Sequence, residues 1–556
     1  MSLFALAWWF TGFFALLALK IATLGSEIPN GLPWVGQDHR GPFKRSRSYL
    51  RSVFGTREMI REGYEKYSKN GRPFVLPNLF TGAEILIPPA QIDWLNEQNE
   101  ENFSIIDTHK QFIRADYTML LDQTTIHERI YKDAFRKNLT RRFYELLPPL
   151  AEEVEHALIG QAGTDPEEWK LIEGFKFWKR VVVQAVSSIF VGKPLCNDQS
   201  YLYYASRFNQ NVMLKAGIIG TLPAFLRPIL GYLIVCTDKY YHARCADITS
   251  PTIRERLNRH VEIASGKAKE VGTQPNDLLT WACADAVQAA QSGNAAKFSL
   301  DFLTRRLSLM NFTSTHSTGL NLNSMLVDIL FASKEHGEKG LDGPTLMERV
   351  RIEIEDAYRI YCQTKDQNPN AGEVFLESLP TMEACFKETL RLRGFVSRIA
   401  MKTTTARGSQ ISVPTVGVVP RGIKIGVPVW GIHHDGEIYK NPFEWTADRW
   451  LDNGPMQRMP VGGGGTHEMY RSYIPFGYKA TVCPGRFFAV NVIKLIASHV
   501  LLHYDIELPP NAERSGHQWW GTSISYGTEA KYLIRRRQGT SVSPKTEFAS
   551  WWHKTV

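Results

Sequence analysis

Three groups of residues in this chain have types and spacings suited to chemistry. Cys483 stands just before an apolar helical run through Val492, Ile493, Ile496 and Val500, and Pro484 fits a first helical position, where a missing N–H costs nothing. Its sulfur is therefore expected at a helix N-terminus, whose unpaired N–H groups favour a thiolate, a ready metal ligand. Glu388 and Arg391 are three apart on a predicted helix, so they share a face and can pair while reaching a common partner. Between Ser299 and Lys334 there is no proline, and Asn311-Phe-Thr-Ser-Thr-His-Ser-Thr-Gly319 places a hydroxyl-rich stretch of mediocre helix formers inside an otherwise apolar helix. Local rules broken inside a core element are where function is expected.

These residues carry a resemblance. Pro475-Phe-Gly-Tyr-Lys-Ala-Thr-Val-Cys-Pro-Gly-Arg-Phe-Phe-Ala489 resembles the haem-binding loop of the cytochromes P450, the haem-thiolate monooxygenases. Leu379-Pro-Thr-Met-Glu-Ala-Cys-Phe-Lys-Glu388-Thr-Leu-Arg391-Leu resembles the helix carrying that family's Glu-x-x-Arg pair. Trp445-Thr-Ala-Asp-Arg449-Trp450 is similar to the segment whose arginine completes the cluster. Gly521-Thr-Ser-Ile-Ser-Tyr526 and Ile534-Arg-Arg-Arg537 are similar to the closing strands of fungal members. Two positions depart from the haem loop's usual pattern. Lys479 stands where Gly allows a tight backbone turn, and Thr481 where a basic residue neutralises a haem propionate, a charge Lys479 could supply from its neighbouring place. Ala447-Asp448-Arg449-Trp450 likewise stands where Pro-Glu-Arg-Phe is common.

The resemblance implies a mainly α fold with small β-sheets. It makes Cys483 the axial ligand of haem b (iron protoporphyrin IX), seated in a loop with Phe476, Gly477, Lys479 and Gly485, and it makes Arg136, Lys132 and Arg398 candidate propionate contacts. Ser317, with His316 relaying protons near neutral pH, becomes the distal pair for dioxygen chemistry. Phe312, Thr313, Val396, Thr522, Ser523 and Ile524 become substrate-facing positions in a mainly apolar pocket. The implied reaction is oxidation of an apolar natural product, a terpenoid or similar, in fungal secondary metabolism. Electrons come from NADPH through a membrane-bound cytochrome P450 reductase, with cytochrome b5 as a further candidate donor, since no flavin or nucleotide-binding segment is visible. The rival readings are a haem-thiolate isomerase or dehydratase that consumes no dioxygen, and a non-catalytic, membrane-held haem- or lipid-binding protein.

The elements that must position these residues are mostly helices. Helical periodicity dominates from Gln123 to about Arg393. Short β-like pieces then follow at Ile411-Ser-Val-Pro414, Gly417-Val-Val-Pro420 and Gly426-Val-Pro-Val429, with a last helix from Pro484 to about Tyr504. No repeat, low-complexity tract or flexible linker divides residues 40–556, read as a single domain.

The 556 residues, 43% hydrophobic and 22% charged, suffice for a large core and exclude wholesale disorder. A net charge of +9 is too diffuse to argue for nucleic acid. The 7 cysteines are scattered without a C-x-x-C pair, which argues against a disulfide framework or a zinc finger. Leu3 to Leu19 is uniformly apolar or small and the pattern continues to Leu24, long enough to span a bilayer. Basic residues follow it at Arg40, Lys44, Arg45, Arg47 and Arg51. Residues 1–24 are thus expected to be a single-pass anchor in the endoplasmic reticulum membrane, residues 25–39 a hinge, and the catalytic body cytosolic. Sequons at Asn102, Asn138 and Asn311 are then unused.

Overall fold

The computed structural model describes residues 27–37, 42–120, 139–140, 142–267, 274–368, 370–405, 411–451 and 468–538, with positions 18, 20, 21, 24 and 460. Lys132, Arg136, Asn138 and residues 1–17 lie outside the described residues.

The helices that frame the site are α1 (Thr56–Lys66), α2 (Ile92–Glu97), α3 (Ile105–Ile113), α4 (Leu147–Ala162), α5 (Gly174–Phe190), α6 (Gln199–Gln210), α7 (Val212–Thr221), α8 (Arg227–Ile234), α9 (Cys236–Ala264), α10 (Leu300–Glu338), α11 (Leu346–Thr364), α12 (Pro380–Arg393) and α13 (Arg486–His503). The strands are β1 (Phe74–Leu76), β2 (Glu84–Leu86), β3 (Phe103–Ser104), β4 (Lys170–Glu173), β5 (Ile399–Thr404), β6 (Ile411–Val413), β7 (Gly417–Val419), β8 (Lys424–Val427), β9 (Tyr504–Glu507), β10 (Gln518–Trp520), β11 (Ser523–Ser525) and β12 (Lys531–Arg536).

Helix α10 begins where Ser299 caps it, the serine hydroxyl accepting the Phe302 N–H at 3.1 Å. Its 39 residues run about 58 Å at ~1.5 Å per residue, so it crosses the whole domain. Buried side chains occupy almost every direction around its centre, from Asn311 through Phe331, because α5, α9, α12 and α13 all pack against it. Gly319 allows the closest of these approaches: a Cβ there would stand 3.2 Å from the Lys179 backbone of α5. Helix α11 opens with the capping box of Thr345 and Glu348. The largest core joins α4, α5, α10 and α13 through residues such as Leu150, Trp178, Met325 and Ile496.

The larger sheet has the order β1-β2-β8-β5-β3, with β2 and β8 parallel and Glu84 opposite Lys424. A second sheet joins β4, β12 and β9, which puts a short strand inside the stretch where helical periodicity dominates. Residues 170–173 earn that place by pairing with β12 rather than by their own pattern. The body is mainly helical with small sheets, as expected. Lys20 and Ile21, assigned from sequence to the anchor, are buried, and Ile21 and Leu24 pack against the core around Ala83 and Ile85. The body therefore begins before residue 24. Among the described residues, the only helix long and apolar enough to cross a membrane is α13, and it is a core helix.

Candidate active site

The cysteine loop is closed by hydrogen bonds from its backbone N–H groups. Ile474 N–H donates to His433 Nε2 at 3.2 Å, Gly477 N–H to Ile474 O at 3.2 Å, and Cys483 N–H to Phe476 O at 2.7 Å. Gly477 takes φ +102°, and a Cβ there would lie 2.5 Å from the Thr481 carbonyl oxygen, so only glycine fits. Phe476 packs on the main core and Gly485 is buried. Cys483 is densely surrounded by protein yet accessible at its own surface, the combination found in a residue lining an internal space. Burial pushes its thiol up, opposed by the Gly485 N–H and the Arg486 charge, so in this frame the helix end moderates desolvation without overcoming it. Helix α13 starts at Arg486 with Gly485 as N-cap, which leaves Pro484 ahead of the first turn. Arg486 Nη1 still ties the helix to Cys483 O at 3.1 Å.

The two departures in this loop are accommodated locally. Lys479 adopts φ +42°, the left-handed conformation that the family's glycine would take. Its ammonium pairs with Asp93 of α2 at 2.5 Å and is 38% exposed, so the charge expected beside a propionate is engaged by a carboxylate here. Asp93 also accepts from Tyr478 Oη at 2.9 Å and pairs with Arg471 at 2.5 Å. Thr481 spends its hydroxyl on the turn, donating to Tyr478 O at 2.7 Å while accepting the Tyr478 N–H at 3.2 Å. Asp93 escaped sequence reasoning because nothing local ties it to a loop almost 400 positions away.

The structure brings the second group together. Glu388 is fully buried and accepts two bonds from Arg391, Nε and Nη2 each at 2.8 Å, and one from Arg449 Nε at 3.3 Å. Thr446 N–H donates to it at 3.2 Å and Trp450 Nε1 at 2.9 Å. These donors hold the carboxyl below its usual range against the opposing effect of burial. Arg391 Nη1 reaches the carbonyls of His433 and Pro442 at 2.5 and 2.8 Å, so the cluster fastens α12 to the segment feeding the cysteine loop. Trp450 was not picked out from sequence. Its signal was present, because an indole standing where Phe is common brings an N–H to a buried carboxylate.

On α10 the accessible side chains at the centre are Phe312, Thr313, His316 and Ser317. Thr313 donates back to Leu309 O at 3.1 Å, and Ser317 Oγ reaches Thr313 O only at 3.4 Å, leaving the serine hydroxyl weakly committed. His316 turns its ring edge-on to Phe175 of α5, with centroids 5.6 Å apart. Burial, with the nearby Lys179 charge, holds it at about 4, so it is a neutral imidazole at physiological pH rather than the group expected to titrate near neutrality. Asn311 is buried and donates to Tyr201 Oη at 2.9 Å, which rules out its sequon as a glycan site.

The remaining positions expected to face substrate fall into two sets. Val396 bridges Ser523, and Ser397 donates through both N–H and Oγ to Thr522 O at 3.1 and 2.9 Å, so these distant stretches form one wall. Ile524 does not belong to it: alternation along β11 sends its side chain into the cluster of Met59, Leu86 and Trp430. Leu309 and Phe312 of α10 and Ile106 and Ile113 of α3 pack against one apolar cluster of Ala115, Met119, Phe208 and Val212. Arg398 is buried and its guanidinium grips Glu84 through Nε and, at 2.9 Å, Nη2. That ion pair engages the charge proposed for a propionate. Glu84 also escaped sequence reasoning, although a lone carboxylate inside Ala83-Glu-Ile-Leu-Ile87 is a legible anomaly.

An accessible thiol behind a glycine-only turn fits a residue that would hold a haem iron. Comparison with known proteins agrees. The family profile described as Cytochrome P450 matches residues 107–525. The chain is 26% identical to cytochrome P450 monooxygenase efuH of Hormonema carpetanum over 514 residues, covering 89% of this chain and 86% of that protein. It is 24% identical to cytochrome P450 monooxygenase polB of Polytolypa hystricis over 548 residues, covering 95% and 98%. Its fold resembles the crystal structure of the cytochrome P450DA heme domain, with a TM-score of 0.61 at 15% identity, covering 91% of this chain and 98% of that one.

Proposed function

This chain belongs to the cytochrome P450 family and is a haem-dependent monooxygenase supplied with electrons by a redox partner; from that premise we propose that it oxidises an apolar natural product, a terpenoid or similar, in fungal secondary metabolism. NADPH is the electron source, through a cytochrome P450 reductase held in the same membrane. The observation that supports the substrate class is the accessible pair Thr313 and Ser317 on α10, the helix whose Leu309 and Phe312 join Ile106 and Ile113 on one apolar cluster. Bound haem supplies dioxygen activation, with Cys483 the residue that holds its iron. This chain's own residues do the rest. The apolar cluster binds and orients the substrate and excludes water, and Ser317 Oγ holds a proton at the oxygen side. His316, neutral and turned to Phe175, supports α10 there without carrying charge.

Membrane attachment through the apolar run ahead of Lys20 belongs to the same proposal, with the body on the cytosolic face of the endoplasmic reticulum. Support comes from exposed apolar side chains at Leu214, Ile218, Ile229, Tyr232 and Leu233 on α7 and α8, and from Phe43 and Phe54 near the N-terminus.

Ser317→Ala is the test. Haem content and substrate binding are expected to stay near wild type, because one small hydroxyl leaves little cavity. NADPH consumption should continue while product per NADPH falls, by up to the ~10²–10⁴-fold that a positioned proton donor contributes. Unchanged product yield removes Ser317 from the proton path. Full product formation with oxygen excluded replaces the monooxygenase reading with the isomerase one.

A further inference from the structure

The turn between β1 and β2 gathers cations from elements far apart in sequence. Phe80 O accepts from Arg114 Nη2 at 3.1 Å, where the chain turns after α3, and the next carbonyl, Thr81 O, accepts from Lys424 Nζ of β8 at 2.5 Å. Arg227, at the start of α8, donates Nε to Leu222 O at 3.0 Å and lies within electrostatic reach of both. Lys20, from the N-terminal segment, lies within electrostatic reach of all three, and burial first and these cations after it hold its amine down at about 6, so it is largely neutral at physiological pH. The buried carboxylate among them is Glu84, which is already filled by Arg398, Thr81 Oγ1 at 2.7 Å and Asn78 Nδ2 at 3.2 Å. Asp116 is within reach, but its side chain is 44% exposed and stands 4.0 Å from Lys110.

Arg114, Arg227 and Lys424 thus converge where the buried carboxylate, Glu84, is gripped by Arg398 and attracts Lys424 only in part, and Arg114 Nε is buried with no hydrogen-bond partner. Crowding and burial show in their proton affinities. Arg114 is held down at about 10 by desolvation first and by Arg227 after it, and Lys424 at about 8 by desolvation first, with Glu84 opposing and Arg114, Arg398 and Arg227 adding to it. Like charges removed from water destabilise a fold unless something compensates them, and such clusters in clefts mark functional sites. The location suits a ligand. The Phe80 ring stacks on Trp520 with centroids 5.5 Å apart and lies against Gly521, where a Cβ would come within 3.0 Å of it. Gly521 leads directly into Thr522 and Ser523, the wall paired with Val396 and Ser397.

We propose, building on the monooxygenase reading above, that Arg114, Arg227 and Lys424 bind a carboxylate carried by the substrate, so that the enzyme takes an apolar acid held by its head group while its hydrocarbon body extends toward α10. A guanidinium offers a carboxylate a two-pronged, charge-assisted grip that a neutral ester cannot use. A haem propionate presents the same chemistry, and the experiment separates the two sources.

The full-length, haem-loaded enzyme is titrated with lauric acid and abietic acid and with the methyl ester of each, read by the optical shift of the haem. Each acid is expected to bind at least ~10-fold more tightly than its ester, about 1.4 kcal/mol. Arg114→Gln and Arg227→Gln should each erase most of that gap, leaving haem content and ester affinity near wild type, while Arg227→Lys retains part of it. Hydrogen exchange across residues 78–84 and 111–118 is measured in parallel and should slow with acid but not with ester. This second readout does not use the haem spectrum, so it reports on the cluster even if Cys483 fails to give a thiolate-type spectrum and the family-level chemistry falls. Acids binding no better than esters, or variants that keep the gap, overturn the proposal. Variants that lose haem and weaken acid and ester alike assign the cluster to a propionate and overturn it equally.

Discussion

At the scale of single residues, Glu388 shows why burial alone does not decide a charge. Desolvation works against its carboxylate, yet five donors from α12 and from residues 446–450 keep it ionised. Trp450→Phe keeps the ring volume and deletes one donor. It is expected to cost ~1.5–3 kcal/mol, the usual worth of a hydrogen bond to a charged group, read as a lower denaturant midpoint with an unchanged slope. Stability equal to wild type means that the indole bond adds nothing. His316 makes the pH-dependent prediction. Its value falls from an ordinary 6.5 to about 4 on folding, so between those values the unfolded chain binds more protons and stability declines as pH drops through that window. The share is about 3 kcal/mol, and His433 and His503, both held at about 3 by burial, act in the same direction. His316→Asn should therefore flatten the fall in melting temperature between about pH 6.5 and 4 without abolishing it. An unchanged pH profile places the ring in water.

At the scale of elements, the cysteine loop depends on backbone freedom more than on side chains. Gly477 sits at φ +102° with the Thr481 carbonyl where a methyl group would go, whereas Lys479 bears its left-handed turn with help from Asp93. Gly477→Ala is expected to displace the Phe476–Cys483 bond and give protein that folds but retains less than half its haem. Lys479→Gly should be tolerated, since it relieves a strained position and removes only an exposed ion pair. The ratio of Soret to protein absorbance after desalting reads both variants, and full haem retention by Gly477→Ala contradicts the close approach described here. The same logic explains α10. Its hydroxyl-rich centre is helical despite mediocre propensity, because packing by α5, α9, α12 and α13 outweighs a few tenths of a kcal/mol per residue.

At the scale of the whole molecule, the packed body begins earlier than the apolar run suggests. Ile21 and Leu24 belong to the cluster that carries Ala83 and Ile85. Removing residues 1–19 should release most of the protein from membranes while leaving its melting temperature within a few degrees. Removing residues 1–24 should release it equally but destabilise it further, by the ~1.5–3 kcal/mol that burial of one large aliphatic side chain contributes. Flotation on a density gradient and a thermal melt of both truncations test this, and equal melting temperatures place Ile21 outside the core.

What the sequence by itself determined is whatever depends on local spacing. The Glu388–Arg391 pair, the boundary of α12 at Arg393, the serine cap of α10 and the loop leading to Cys483 each need only a few consecutive residues to specify them. Residue types at such short range fix both the backbone path and the chemistry offered. Only the tertiary structure decided where those groups point and what meets them. His316 is neutral because α5 brings Phe175 and Lys179 against it, Ile524 faces a core because β11 alternates, and Lys479 is engaged because α2 presents Asp93. The convergence of Arg114, Arg227 and Lys424 on one turn is of the same kind. Desolvation and charge pairing act through space, and separation along the chain carries no record of which distant residues will become neighbours.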